Sequence, residues 1–159
     1  MDLSALVHQC APPNVSRQTM TALMRVESAH YPYAIGYKIV RKEDKRVFML
    51  TAQPRNKEQA VRWAKWLENN GYYFDAGAVQ VNSSNFRMYG LSAETAFDPC
   101  ANIRAGALIL SRCYARALEK YMQEQVALRA ALSCYQSGNF QTGFRTGYVS
   151  KVVKTAVGK

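Results

Sequence analysis

Met24-Arg25-Val26-Glu27-Ser28-Ala29-His30, followed by Tyr31-Pro32-Tyr33-Ala34-Ile35-Gly36, is the stretch on which the reading of this chain turns. Met20, Leu23 and Met24 recur at helical spacing and predict a core-facing stripe. Pro32 disfavours helix for the residue before it, so the helix is expected to stop near His30. That places Glu27 in the last turn, at the end of the helix dipole that disfavours negative charge. A carboxylate there, beside apolar neighbours, should hold its proton to higher pH. A general acid working near neutrality needs that property. Taken alone, the same stretch also fits a solvated surface glutamate.

Outward from this helix, Ser16 is a plausible N-cap, preceded by an irregular run from Ala11 to Val15. Downstream, Ala34 to Val40 and Arg46 to Leu50 are short β-rich runs joined by the charged turn Arg41 to Lys45, which predicts a small hairpin. Lys57 to Glu68 reads as a helix with Ala60, Val61, Ala64 and Leu67 on one side, closed at Gly71. Trp63 and Trp66 are expected to pack in the core, since large aromatics dominate cores, although sugar-stacking platforms have the same composition.

In Tyr72 to Asn82, Gly77 permits close backbone approach. An extended end to this run would turn Val79 and Val81 one way and the amides of Gln80 and Asn82 the other. Those amides can bind sugar hydroxyls and N-acetyl groups, or satisfy nearby turn backbone. Asp98-Pro99 reads as an N-cap with Pro at N1 of a helix running from Cys100 to about Leu118. Ile103, Ala107, Leu110 and Tyr114 form its buried stripe, and Ala105, Gly106 and Ala107 allow close packing. A second helix spans Gln125 to Tyr135 and ends at Ser137-Gly138-Asn139; a last one starts at Tyr148 and runs into a basic tail ending at Lys159.

The 159 residues suit one domain, residues 1–159, with a sufficient core. The net charge of +10 points to an anionic partner: nucleic acid, a membrane surface or an anionic polymer such as cell wall. Basic residues are dispersed and no recognition motif is present, so nucleic acid ranks last. No apolar run approaches a membrane span. Met1 to His8 lacks a basic start and a long apolar segment, so no signal peptide is visible. No phosphate loop, Ser/His/Asp arrangement or metal-ligand cluster appears, so neither cofactor nor metal is expected. His8 and His30 read as surface or satisfied residues.

Cys10, Cys100, Cys113 and Cys134 contain no CxxC pair, which argues against zinc; four cysteines suit two disulfides in an oxidising compartment, or buried thiols. If Cys100 and Cys113 share a helix they lie about 20 Å apart, against the roughly 7 Å a disulfide spans. A helical hairpin turning near Gln123 would set Cys113 opposite Cys134. The favoured pairing is therefore Cys113 with Cys134 and Cys10 with Cys100.

Together these motifs resemble the lysozyme-like lytic transglycosylases, and among them the VirB1-type enzymes that accompany type IV secretion and conjugation systems. Three family motifs stand in order. Glu27-Ser28 precedes Tyr31-Pro32-Tyr33-Ala34, where the family has Asn-Pro-Tyr-Ala; Gly77-Ala78-Val79-Gln80-Val81-Asn82 corresponds to Gly-Leu-Met-Gln-(Ile/Val)-Asn; and Cys134-Tyr135-Gln136-Ser137-Gly138 corresponds to Ala-Tyr-Asn-x-Gly. Phe97 to Ala107 resembles the stretch between the last two. The departures at Tyr31, Ala78-Val79, Cys134 and Gln136 bear on substrate fit more than on the acid.

The resemblance implies a mainly α (α+β) lysozyme-like fold with a small β hairpin beside the cleft. It implies cleavage of the β-1,4 bond between N-acetylmuramic acid and N-acetylglucosamine in peptidoglycan, with a 1,6-anhydro product. Glu27 is then catalytic. Ser28, Gln80, Asn82 and Tyr135 are the substrate-binding residues, with Tyr135 hydrogen-bonding or orienting Glu27 and Ser28 supporting the loop or a sugar. The implied partners are peptidoglycan glycan strands and secretion-system components, with a periplasmic location reached after removal of a signal peptide. Two other outcomes remain: a hydrolytic muramidase in which Asp75 activates water, and a non-catalytic wall-binding assembly module. Asp75 is expected to be structural, because it precedes a turn at Gly77.

Overall fold

The computed structural model describes residues 3–158. Met1 and Asp2, from the stretch inspected for a leader, and Lys159 of the basic tail lie outside the described residues. Helix α1 (Ser4–Cys10) leads into α2 (Arg17–Ser28), then β1 (Lys38–Arg41), β2 (Val47–Met49), α3 (Lys57–Asn69) and the two-residue strands β3 (Tyr72–Tyr73), β4 (Asp75–Ala76) and β5 (Val81–Asn82). A 3₁₀ turn (Ser83–Asn85) precedes α4 (Pro99–Tyr121), α5 (Glu124–Ser137), α6 (Thr142–Arg145) and α7 (Tyr148–Ala156). The fold is mainly α with small antiparallel sheets.

Local chemistry sets the helix ends. Ser16 Oγ accepts the Thr19 N–H at the start of α2, and Asn56 Oδ1 accepts the Gln59 N–H at the start of α3. Met20, Leu23 and Met24 are fully buried, as their spacing predicts. The loop after α4 turns through Met122 in the left-handed region, and Gln123 caps α5 by accepting the Val126 N–H. The two helices then run back against each other, joined by the Cys113–Cys134 disulfide. Cys10–Cys100 ties α1 to the first turn of α4.

The sheets are modest. β1 pairs antiparallel with β2 on one side and β3 on the other, with Ile39 opposite Phe48 and Val40 opposite Tyr73. The Tyr37 carbonyl accepts the Leu50 N–H at the end of that hairpin, but residues 34–36 do not join it; Ile35 instead bridges to Ala76. The charged turn is solvated, with Arg41 and Asp44 paired at 2.6 Å. Trp66 corrects the expectation of a core residue: it is 57% exposed and stacks on Tyr72 at 5.9 Å between ring centroids, while Trp63 is partly buried against the core.

α1 and α6 were not expected. α1 buries Val7 and Cys10, with Leu3 buried at its N-cap, but at 7 residues it depends on packing against α4 and on its disulfide. Among the described residues no helix is long and apolar enough to cross a membrane.

Candidate active site

Glu27 occupies the last turn of α2, as expected. Directly after it, Ala29 and His30 both take left-handed φ values, 53° and 66°. Two successive non-glycine residues in that region are strained, and such strain collects at functional sites. The Glu27 carboxyl opens onto a cavity of about 570 Å³. Its walls come from the β4–β5 turn, from the segment through Met88 and Tyr89, from one face of α4 and from the end of α5.

Glu27 is partly exposed as a residue, yet protein crowds its carboxyl group. Burial foremost, with the charge of Asp75 adding to it, raises the carboxyl from its usual 4.5 to about 7. Two groups oppose this: the Tyr148 hydroxyl, which donates to Oε2 at 2.6 Å, and the Lys151 charge one turn further along α7. Burial of the Tyr148 phenol, together with the Glu27 charge, keeps that phenol protonated. Burial is thus the main cause of the raised carboxyl.

Opposite Glu27, the Gly77–Gln80 turn joins β4 to β5. Gly77 has φ +85°, and a Cβ there would lie 2.2 Å from Asn102 Nδ2, so the position requires glycine twice over. Asn102, on the first turn of α4, is fully buried and holds this turn from behind. Its Oδ1 accepts the Val79 N–H at 2.8 Å, and its Nδ2 donates to the Ala76 and Ala96 carbonyls at 2.8 and 2.9 Å. Gly106, one turn on, lets α4 approach closely: a Cβ there would lie 2.4 Å from Val79 Cγ2 and 2.9 Å from the Tyr135 hydroxyl.

Gln80, Asn82 and Tyr135 line the cavity with Glu27, whereas Ser28 does not. Ser28 Oγ donates to the Ala78 carbonyl at 2.6 Å and to the Met24 carbonyl at 3.2 Å, so it fastens the end of α2 to the turn. Tyr135 does not hydrogen-bond Glu27: its hydroxyl donates to the Val79 carbonyl at 2.5 Å, and Tyr148 takes the place expected for it. Val79 and Val81 are buried while Gln80 and Asn82 face the cavity, although only Val81 and Asn82 are strand; Gln80 has a left-handed φ of 55°. Gln80 Nε2 donates to the Ala34 and Gly77 carbonyls. Asn82 donates to Asp75 Oδ1 at 2.9 Å and accepts the Ser84 N–H. Both readings of these amides therefore apply: they satisfy turn backbone and they line the cavity.

Asp75 also lines the cavity. Burial raises its carboxyl, and the Asn82 hydrogen bond partly offsets this. The residues that sequence reasoning missed are Asn102 and Tyr148. Neither carries a local signal: Asn102 borders an apolar stripe, and Tyr148 lies 121 residues from the carboxylate it meets. Among the described residues no cluster of His, Cys, Asp and Glu could hold a metal.

A mainly α frame with two crowded carboxyls, Glu27 at a helix end and Asp75 beside a small β turn, facing an open groove, defines a lysozyme-like protein. Residues 8–156 match the transglycosylase SLT domain, and the chain belongs to that family. Among curated proteins it is similar to the type IV secretion system protein virB1 of Brucella abortus biovar 1, with 46% identity over 157 residues, covering 95% of this chain and 62% of that protein. It is also similar to protein virB1 of Rhizobium radiobacter, with 34% identity over 151 residues, 95% of this chain and 59% of that one. For protein virB1 of Agrobacterium fabrum the identity is 31% over 155 residues, 98% of this chain and 59% of that one. The chain thus spans about three fifths of the length of these relatives. No solved structure matches it.

Proposed function

We propose that residues 1–159 form one lytic transglycosylase domain that cleaves the β-1,4 bond between N-acetylmuramic acid and N-acetylglucosamine in peptidoglycan. The observation that carries this reading is Glu27, the crowded carboxyl at the cavity whose proton is held to about pH 7. Protonated Glu27 donates to the glycosidic oxygen, the bond from that oxygen to C1 breaks, and the N-acetylglucosamine leaves as an alcohol. The substrate's own N-acetyl group stabilises the electron-poor C1, which places the reaction among the substrate-assisted exceptions to the two-carboxylate rule. Glu27, now a carboxylate, takes the proton of the C6 hydroxyl as O6 bonds to C1. The 1,6-anhydro ring closes, Glu27 regains its proton, and no water is consumed.

Tyr148 holds the Glu27 carboxyl in position and, by donating its hydroxyl, stabilises the carboxylate when Glu27 ionises. Gln80, Asn82 and Tyr135 shape the wall against which the sugar sits, and Ser28 and Asn102 keep that wall in place. The resemblance to the virB1 proteins supports action in the periplasm beside a type IV secretion apparatus, where the enzyme opens the wall locally. The paired cysteines suit that oxidising location.

Asp75 gives a specific reason to test hydrolysis as the second reading, since it shares the cavity and could activate water. Glu27→Gln should abolish release of soluble glycan from purified peptidoglycan while leaving the circular dichroism spectrum unchanged. Full activity in that variant would remove Glu27 from the mechanism.

A further inference from the structure

The cavity has a second chemical character away from its acids. Ile109, Arg112, Cys113 and Arg116 recur at helical spacing and present one face of α4 to it. At about 1.5 Å per residue, Arg112 and Arg116 lie about 9 and 15 Å along α4 from Gly106, the residue that touches the Gly77–Gln80 turn. Two guanidinium groups therefore line the groove some way along from Glu27. Each is steadied from a different segment. Arg112 Nη1 approaches the Tyr89 hydroxyl at 3.4 Å and Met88 Sδ at 2.9 Å, while the Arg116 guanidinium lies over the Phe140 ring at 5.7 Å.

Among the described residues neither arginine has a carboxylate partner. The ion pairs among the described residues are Arg41–Asp44 and Lys65–Glu94, and the carboxylates lining the cavity are Glu27 and Asp75. Two solvent-exposed guanidinium groups at a groove, each resting on neighbouring side chains and neither spent on a described carboxylate, are suited to forked hydrogen bonding with carboxylate. A neutral sugar ring gives no reason for such a pair. The muramic acid unit does, because its lactyl arm ends in a carboxylate, or in a peptide that carries carboxylates.

We infer that Arg112 and Arg116 form a carboxylate-binding subsite for the muramoyl side arm, so that this groove selects muramic-acid-containing strands over neutral ones. The inference rests on the proposed glycan-cleaving function. It names two sources of one chemistry: the free lactyl carboxylate of a peptide-less unit, and the carboxylates of the stem peptide that is otherwise amide-linked there.

Binding tests it without depending on turnover. In a Glu27→Gln background, solubilised peptide-bearing strands, strands stripped of peptide by an amidase, and neutral chitooligosaccharides are titrated by calorimetry. Arg112→Gln and Arg116→Gln should each weaken binding of a carboxylate-bearing strand roughly tenfold, as loss of a charged hydrogen bond does. Arg112→Lys should recover part of the loss, and chitooligosaccharides should bind all the proteins alike. A loss confined to stripped strands identifies the lactyl carboxylate, a loss confined to peptide-bearing strands identifies the carboxylates of the stem peptide, and losses on both show that the pair accepts either. Equal losses on all three ligands, or none, would overturn the subsite while leaving the glycan-binding reading intact. Failure of the Glu27→Gln protein to bind any strand would overturn that reading, and the subsite with it.

Discussion

Glu27→Gln should make the protein more stable at alkaline pH, and by an amount the site's burial sets. In the unfolded chain the carboxyl titrates near 4.5, and in the folded protein near 7. Between those values the folded protein keeps a proton that the unfolded chain has released. Stability therefore falls as pH rises through this window and is lowest above it. A shift of about 2.5 units corresponds to about 3 kcal/mol, and water reaching the groove screens part of it, leaving about 2 kcal/mol. Glutamine keeps the oxygen that accepts the Tyr148 hydroxyl but cannot ionise. Below pH 4 the two proteins should melt together. At pH 8 the variant should melt about 4–8 °C higher, the shift expected of about 2 kcal/mol in a domain of this size. Thermal melts followed by circular dichroism at both values provide the assay. Equal melting temperatures at pH 8 would show that Glu27 ionises without cost, and the argument for a held proton would fail.

The groups around Glu27 should move its titration in opposite directions. Tyr148→Phe removes a hydrogen bond to the carboxylate, so the fall in activity at high pH should shift upward by about one unit; Asp75→Asn removes a like charge and should shift it downward, both read from pH–rate profiles. Asn102→Leu strands one backbone N–H and two carbonyls in the core, so the urea midpoint should reflect a loss of at least about 3 kcal/mol. Replacing both Cys113 and Cys134 by Ala should cost about 3 kcal/mol, and replacing Cys10 and Cys100 about 5 kcal/mol, because the second pair spans 90 residues and the first 21. Denaturant unfolding that ranked the two pairs the other way would count against the loop-entropy account.

Much of this frame was legible because local rules and tertiary packing agree. Ser16, the Met20–Leu23–Met24 stripe and Pro32 act within a few residues of one another, and they bring Glu27 to a helix end. The α4–α5 hairpin and its disulfide followed from a turn near Gln123 and the reach of a cystine. What was not legible depends on contacts distant in sequence. α1 and α6 are too short to hold by propensity alone. Trp66 has the composition of a core residue, and its stacking on Tyr72 beside solvent is a matter of sheet placement. Tyr135 and Tyr148 are chemically alike, and only the packing of α7 against α2 decides which of them meets Glu27. Asp75 read as a structural residue before a turn; it lies in β4, paired with Asn82, and that short strand also puts its carboxyl in the cavity.

The central claim is that one carboxyl, Glu27, breaks the glycosidic bond and closes the ring without water. Purified peptidoglycan digested in heavy-oxygen water, followed by mass spectrometry of the muramoyl ends, tests this most directly. The account predicts anhydro-muramoyl ends free of heavy oxygen from the wild type and no new ends from Glu27→Gln. Reducing ends that each carry one heavy oxygen would contradict it and assign the second step to water activated beside Asp75.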